Sequence, residues 1–198
     1  MNDILVFDTE TGGLDPNVNG LCSITLKVKG EPEKIKTIFI KPEEGMEYHP
    51  VALEVNGLTL EKLREIGISP EEVIGEVRKF ISDNFGYSKP FALGHNVKFD
   101  VQFMDALFSR YNIQPFSKMV DYHLMDTMHF AQMLHHAHIK RHTRFKLSVV
   151  YKELFGFDFK NAHTSEADVL ATEEIFDKQI KILTDMKKLA LQNMNKND

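Results

Sequence analysis

The chain has 198 residues, of which 42% are hydrophobic and 27% charged, a balance typical of one soluble globular domain with a sizeable core. Its formal net charge of −5 gives no overall attraction to nucleic acid, and no stretch resembles a membrane span or a signal peptide. A single cysteine, Cys22, excludes an internal disulfide. We therefore expect one domain over residues 1–192, a disordered tail at 193–198, and a reducing, cytoplasmic location.

The chain begins with a short buried strand that ends in two carboxylates. Residues 4–10 read Ile-Leu-Val-Phe-Asp-Thr-Glu, and this apolar run before two glycines predicts a strand. Alternate side chains of a strand point the same way, so Asp8 and Glu10 share one side. Two such carboxylates repel each other unless a cation such as Mg²⁺ or Mn²⁺ neutralises them. Taken alone, the pattern leaves an ordinary polar turn as an equal alternative.

The following elements are predicted from periodicity, caps and turn residues. Alternation of polar and apolar residues predicts half-buried strands over 22–28 and 35–40 in an antiparallel meander, followed by an irregular segment over 41–57. Later elements are a short helix from Thr59, a helix from Ser69-Pro70 to near Gly86, a strand over 91–94, a helix from about Val97 to Tyr111, a strand over 119–124, and helices over 127–136, 147–155 and from Ser165 past Leu189. This order predicts an α/β fold with a mixed five-stranded sheet covered by helices on both faces.

A third carboxylate, Asp100, lies on the apolar face of a predicted helix. It shares that face with Met104 and Leu107, because residues four and seven apart lie on one side of a helix. An unpaired carboxylate in such surroundings is costly, which favours a binding role. The alternative is a partner of the helix N-terminal dipole, held partly in water.

A histidine and a fourth carboxylate lie at the start of the last predicted helix. By itself, Ser165-x-x-Asp168 is most simply a capping box. However, Asp168 precedes a strongly apolar helix, and His163 lies just before that helix begins. The positive helix terminus disfavours an imidazolium, so it would help to keep the ring neutral and able to accept a proton. A surface histidine is the alternative.

Together these residues resemble one family. Asp8-x-Glu10, Asp100 in a His-Asn-x-x-Phe-Asp context, and His163-x-x-x-x-Asp168 are similar to the three motifs of the DEDDh 3′-to-5′ exonucleases. This group includes the proofreading epsilon subunit of bacterial DNA polymerase III, ribonuclease T and oligoribonuclease. Segments 7–14, 55–59 and 126–127 also fit, so the resemblance covers about residues 4–180. It implies a ribonuclease H-like fold and a metal-dependent 3′-to-5′ exonuclease.

The resemblance also implies a mechanism with two divalent ions, Mg²⁺ or Mn²⁺. Asp8, Glu10 and Asp168 would hold one ion, Asp8 would be shared with the second, and Asp100 would bind that second ion through water. His163 would accept the proton of the attacking water, and 5′-mononucleotides would be released.

Further positions would contact the substrate. The resemblance implies that the backbone after Glu10 holds the terminal sugar and that an apolar side chain wedges between the last two bases; the matching positions are Thr11, Gly12, Gly13 and Leu14. Gly13 and Leu14 could equally be ordinary turn and core residues. Asn96 is a further candidate contact.

The motifs do not separate DNA from RNA. We expect single-stranded DNA 3′ ends as substrate, with RNA trimming as the alternative within the family and a non-catalytic module that binds nucleic-acid ends as the alternative outside it. A pure binder would not need His163. No polymerase-binding segment or sliding-clamp peptide is visible after the last predicted helix, so a polymerase partner is not implied.

Histidines and basic residues crowd one later segment. Six of the nine histidines lie within residues 123–142, and the spacing of His138 and His142 leaves a structural zinc site open, although no cysteine is near. Residues 137–145 are predicted to form a loop. Four basic residues stand in or beside it: Lys140, Arg141, Arg144 and Lys146. We call residues 140–146 the basic loop, and we favour a surface that follows substrate phosphates over a merely solvated segment.

Overall fold

The sheet predicted from the sequence is present. The computed structural model describes residues 3–160 and 163–194, and the described strands are β1 (Ile4–Thr11), β2 (Leu21–Val28), β3 (Ile35–Phe39), β4 (Phe91–Gly94) and β5 (Met125–Asp126). Their order across the sheet is β3-β2-β1-β4-β5. The first three strands are antiparallel, whereas β4 runs parallel to both β1 and β5. The carboxyl ends of β1 and β4 therefore lie at the same edge, which is where the candidate site forms.

The helices follow the predicted order, with one addition. In the described residues they are α1 (Pro50–Asn56), α2 (Leu60–Ile66), α3 (Pro70–Phe85), α4 (Val97–Arg110), α5 (Thr127–His136), α6 (Leu147–Phe155) and α7 (Ser165–Met194). Capping explains several of these boundaries. Ser69 and Glu72 form a capping box at the start of α3, and Gly156 in a left-handed conformation ends α6.

Helices pack on both faces of the sheet. Leu5 and Phe7 of β1 belong to the main core, which they share with α3 and α4. Val6, which points to the opposite face, packs with Val169 of α7. Asp8 and Glu10 have the same parity as Val6, so the strand presents both carboxylates on the α7 face.

Strand β2 departs from the prediction of a half-buried strand. All eight of its residues are buried, including the polar Ser23, Thr25 and Lys27. Helix α7 covers this polar side and supplies its partners, because Lys27 pairs with Glu173 at 2.6 Å and the Ser165 hydroxyl lies 2.9 Å from that of Thr25. A polar face that would normally meet water is therefore buried against matching polar groups.

Two further predictions need correction. Residues 41–57 are not wholly irregular, because α1 lies within them, with Pro50 in its first turn and Gly57 in a left-handed conformation at its end. Residues 119–124 do not form a strand. They follow a 3-10 turn at Phe116–Lys118, and only Met125–Asp126 pair with β4.

Helix α7 reaches into the segment expected to be disordered. It continues to Met194, two residues past the predicted domain boundary at 192. Residues 195–198 lie outside the described residues. No helix in the described part of the chain is long and apolar enough to cross a membrane.

Candidate active site

Strand β1 and helix α7 bring three carboxylates together. Asp8 and Glu10 project from the end of β1, and Asp168 comes from the first turn of α7. One oxygen from each side chain lies within 4.8 Å of the others. Among the described residues this is the one group of three or more His, Cys, Asp or Glu side chains placed to share a metal ion.

The fourth predicted carboxylate, Asp100, is held in place by β1. Asp100 lies in the first turn of α4 and is only 4% exposed. Its Oδ1 accepts hydrogen bonds from Thr9 N–H at 3.0 Å and from Thr9 Oγ1 at 2.7 Å. The alternative role, a dipole partner held partly in water, does not fit a side chain that is this deeply buried. Thr9, which lies between Asp8 and Glu10, is a supporting residue that the sequence analysis missed.

Burial disfavours the ionised form of all four carboxylates, and neighbouring charges add to this for Asp8 and Glu10. Burial, with the charges of Asp100, Asp168 and Glu10, raises the pKa of Asp8 well above its ordinary value. Burial, followed by the charges of Asp168 and Asp100, raises the pKa of Glu10 to about 8. Burial also raises the pKa of Asp100 to about 7 despite the bonds from Thr9, and that of Asp168 to about 6 despite the bond from His163. Without a cation, the cluster is therefore poorly suited to full ionisation at neutral pH.

His163 lies beside this cluster. It is exposed, it immediately precedes the first turn of α7 as predicted, and its backbone N–H donates to Asp168 Oδ1 at 3.3 Å. Its φ of 71° is a left-handed conformation that non-glycine residues rarely adopt. Such strain is often retained near functional sites, and here the turn sets both the N–H and the imidazole next to Asp168.

The donor set fits a hard divalent cation. Carboxylate oxygens are the ligands that Mg²⁺ and Mn²⁺ prefer, and the three from Asp8, Glu10 and Asp168 converge within ligand-sharing distance. Burial raises the pKa of all three, and neighbouring carboxylates add to the shifts of Asp8 and Glu10, so a bound cation would favour the ionised forms. These residues could therefore hold a metal ion.

The chain matches a known protein family over most of its length. The model of the RNase_T exonuclease family matches residues 5–176, which is most of the chain. The chain belongs to this exonuclease family. The match covers β1, α4 and the start of α7, so all four carboxylates and His163 lie inside the family domain, and the exonuclease resemblance inferred from the motifs is confirmed.

The chain spans only part of the length of each of the curated relatives it matches. The chain is 31% identical over 105 residues to the 3′-5′ DNA exonuclease Cap18 of Escherichia coli, covering 52% of this chain and 56% of Cap18. It is 29% identical over 171 residues to the PolC-type DNA polymerase III of Streptococcus pneumoniae, covering 85% of this chain but 10% of that protein. E. coli exonuclease I, solved with a dT13 oligonucleotide, matches with a TM-score of 0.72 at 20% identity over 96% of this chain and 42% of that one. This last likeness confirms the fold.

The glycines of the loop after β1 have a packing role, and their predicted contact with the substrate stays a prediction. A Cβ on Gly12 would overlap Tyr48, and one on Gly13 would overlap Asn19, so internal packing already requires both glycines. The Thr11 hydroxyl is likewise occupied, since it donates to the Gly13 carbonyl at 2.6 Å. Leu14 differs, because it is 84% exposed and so remains available as an apolar wedge.

Asn96 lies at the junction between β4 and α4. It is exposed, has a left-handed φ of 67°, and donates its backbone N–H to Asp126 Oδ1 at 3.0 Å. The same Asp126 side chain accepts from Val97 N–H and Met128 N–H, so it caps both α4 and α5. Asp126 therefore connects the start of α4, the helix that carries Asp100, to the start of α5.

The basic loop lies at the catalytic edge. The carbonyl of Phe145 is 2.7 Å from His95 Nε2, and His95 directly follows β4. Arg141 and Arg144 are exposed, whereas His142 between them is buried. The sequence analysis placed the basic residues correctly in a loop but did not identify His95 as its contact.

The histidines of this segment do not form a three-ligand site within the described residues. His142 Nδ1 is instead 2.8 Å from Glu153, and His123 Nδ1 is 2.8 Å from Asp121. Each contact engages one nitrogen of its ring, and His142 Nε2 is buried without a hydrogen-bond partner in the described part of the chain. With no three-ligand group among the described residues, the zinc alternative gains no support.

A groove opens next to Glu10. Its volume is about 740 Å³, and it lies between the β2–β3 side of the sheet, the α1–α2 connection and the start of α7. Apolar and aromatic side chains form much of its wall, among them Phe39, Leu58, Phe157 and Phe159. The carboxylate cluster therefore has a wide, partly aromatic space on one side.

Proposed function

We propose that this chain is a metal-dependent 3′-to-5′ exonuclease that releases 5′-mononucleotides from single-stranded DNA ends. The observation that carries this proposal is the convergence of Asp8, Glu10 and Asp168 beside the buried Asp100, in a chain of an exonuclease family. Four carboxylates at one sheet edge cost stability unless they bind cations, so their common purpose is a metal centre.

The carboxylates divide the metal-binding task. Asp8, Glu10 and Asp168 would hold one divalent ion, and Asp8 with Asp100 would hold a second. When bound, such ions activate a water nucleophile and stabilise the charge on the leaving 3′ oxygen. Thr9 keeps Asp100 oriented toward this centre through its two hydrogen bonds, and it favours the ionised carboxylate that a cation requires.

His163 serves as the general base. It accepts the proton of the water that attacks the terminal phosphorus, while the bond between phosphorus and the 3′ oxygen breaks. An imidazole suits this task because it titrates near neutrality in water. The exposure of His163 beside Asp168 supports the assignment, since the group must reach both solvent and the scissile phosphate.

The surroundings of the site suit a single strand. The exposed Leu14 can insert between the last two bases, and the groove beside Glu10 is wide enough for an unpaired nucleoside to enter. Aromatic walls stack with bases of any sequence. The basic loop supplies positive charge at the same edge, where the substrate backbone would leave the site.

We favour DNA over RNA as the substrate. Cap18 is named a DNA exonuclease, and exonuclease I was solved with deoxyribo-oligonucleotides, whereas the family name RNase_T keeps RNA as the alternative. Activity on RNA and binding without turnover are the two outcomes against which this choice is tested.

The decisive experiment digests matched DNA and RNA oligonucleotides, labelled at the 5′ or the 3′ end, with Mg²⁺ or Mn²⁺. We expect a ladder from the 5′-labelled DNA and immediate release of a labelled mononucleotide from the 3′-labelled DNA. Asp8→Asn, purified in parallel, controls for contaminating nucleases. Preferential digestion of RNA would reassign the substrate, and binding without digestion would favour the non-catalytic module.

A further inference from the structure

We propose that His95 is a positioning residue that holds the basic loop beside the catalytic edge, where the loop contacts the substrate backbone. The inference rests on the proposed function, because it assigns the loop a nucleic-acid ligand. His95 carries no role in the proposed chemistry, yet both of its ring nitrogens are engaged by other segments of the chain.

The hydrogen bonds of His95 join three segments. Nε2 lies 2.7 Å from the Phe145 carbonyl, and Nδ1 lies 2.8 Å from Thr127 Oγ1 at the start of α5. A carbonyl can only accept, so Nε2 carries the proton and donates to Phe145. Burial lowers the pKa of His95, which favours the neutral ring, and in that ring Nδ1 accepts from Thr127 Oγ1, whose one hydrogen is shared with the Gly94 carbonyl at 3.2 Å. The bond to Phe145 persists in either protonation state, because Nε2–H donates in both.

The position of His95 relates the loop to the carboxylates. In the parallel pair of β1 and β4, Val6 pairs with Leu93. Two residues further along each chain come Asp8 and His95. A loop held by His95 is therefore held at the edge of the sheet where Asp8 and Glu10 stand.

A second contact anchors the middle of the loop. Glu153 of α6 accepts from Thr143 N–H at 3.0 Å and from Thr143 Oγ1 at 2.6 Å, and its other oxygen lies 2.8 Å from His142 Nδ1. The exposed Arg144 lies between this anchor and the one at Phe145. Because both flanks of Arg144 are already fixed in the free protein, less conformational entropy is lost when the loop binds substrate.

The test compares three substitutions of His95. His95→Gln places an amide N–H near the position of Nε2 and should keep the bond to Phe145, whereas His95→Asn reaches toward Thr127 only. His95→Ala loses both bonds. His123→Ala, which removes an exposed histidine bonded to Asp121, is the matched control. Binding of a fluorescent thymidine oligonucleotide is measured by anisotropy in Ca²⁺, so that turnover is not required, and KM and kcat are measured separately in Mg²⁺.

We expect His95→Ala and His95→Asn to weaken binding and raise KM by about fivefold to tenfold, as loss of the partly buried bond to Phe145 implies, with kcat within about twofold of the parent. His95→Gln should restore most of the affinity, and His123→Ala should match the parent. A fall in kcat with unchanged KM would overturn the proposal, because His95 would then act on the catalytic centre. Equal losses in the Gln and Ala variants would overturn it as well.

A double-mutant cycle tests whether His95 affects binding through the basic loop. In a background of Arg141→Ala and Arg144→Ala, His95→Ala should add less than about a twofold further loss of binding. Full additivity would overturn the proposal, since His95 would then act independently of the loop. If the proposed exonuclease function is wrong, the outcome differs. The parent would then bind the oligonucleotide without degrading it, and the His95 substitutions would still weaken that binding.

Discussion

Thr9 donates both its backbone N–H and its hydroxyl to a single oxygen of Asp100, at 3.0 and 2.7 Å. This pair connects β1, which carries Asp8 and Glu10, to α4, which carries Asp100. It also opposes the effect of burial, because hydrogen bonds to a carboxylate favour its ionised form. Thr9 therefore controls how readily Asp100 can bind a cation.

Replacing Thr9 by valine should weaken metal binding at neutral pH. The hydroxyl bond is lost while side-chain shape is kept, so the pKa of Asp100 rises further above about 7. A bond to a charged group contributes roughly 1.5–3 kcal/mol, which corresponds to about a tenfold or larger rise in the Mg²⁺ concentration for half-maximal activity. Mg²⁺ titrations at pH 7 and 8.5 measure this, and the deficit should shrink at the higher pH. An equal deficit at both values would contradict the explanation.

Asp8→Asn or Asp168→Asn should abolish turnover without unfolding the protein. Each carboxylate is a predicted ligand of the ion that activates water, and neither belongs to the hydrophobic core. Oligonucleotide digestion and circular dichroism measure the two properties side by side. Activity within about tenfold of the parent, with contaminating nucleases excluded, would refute the assignment of these ligands.

The metal-free protein should lose stability as pH rises. Folded pKa values of about 8 for Glu10, about 7 for Asp100 and about 6 for Asp168 all exceed the value near 4 of unfolded carboxyls. Between about pH 4 and 8 the folded state therefore binds more protons, so its free energy of unfolding falls as pH increases. Thermal unfolding in EDTA should show a midpoint several degrees lower at pH 8 than at pH 5.5.

Glu10→Gln provides the matched control for this pH dependence. It removes the acid whose pKa is raised to about 8, so the metal-free midpoint at pH 8 should exceed that of the parent and vary less with pH. Saturating Mg²⁺ should raise the parent's midpoint at pH 8, because a ligand of the folded state stabilises it. A parent midpoint that is constant or increases from pH 5.5 to 8 would exclude a strained acidic cluster.

His163→Ala should slow the chemical step by roughly 10²–10⁴-fold, the usual contribution of a general base, while leaving metal affinity nearly unchanged. Single-turnover rates at saturating metal should show an acid limb in the parent, because a protonated imidazole cannot accept a proton. The variant should lack that limb. If its limb and rate match those of the parent, another group is the base.

Reversing the charge of the basic loop should weaken binding of oligonucleotides selectively. Changing Lys140, Arg141, Arg144 and Lys146 to Glu removes phosphate contacts, and each lost contact should flatten the salt slope of log affinity by about 0.7. A chromogenic thymidine monophosphate ester reaches only the metal site, so its hydrolysis should change little. Equal losses on both substrates would point to damage of the fold, and no loss on the oligonucleotide would leave the loop a solvated segment.

The sequence by itself determined the features that follow local periodicity. Alternation along β1 puts Asp8 and Glu10 on one side, and helical spacing puts Asp100 among the buried residues of α4. The position of His163 ahead of α7 follows from the apolar pattern that begins at Ser165, although the predicted cap is made by Thr164, whose hydroxyl accepts from Ala167 N–H at 3.3 Å. Each of these relationships spans only a few residues, so backbone geometry alone fixes it.

Tertiary structure decided which groups meet. Thr9 and Asp100 are 91 residues apart, and His95 and Phe145 are 50 apart, so no local period relates them. The polar side of β2 is buried because α7, more than 140 residues away at Ser165, brings a hydroxyl to it. Gly12 and Gly13 are glycines because Tyr48 and Asn19 fill the space beside them. Burial and hydrogen-bond partners depend on how distant elements pack, and packing is a property of the folded chain as a whole.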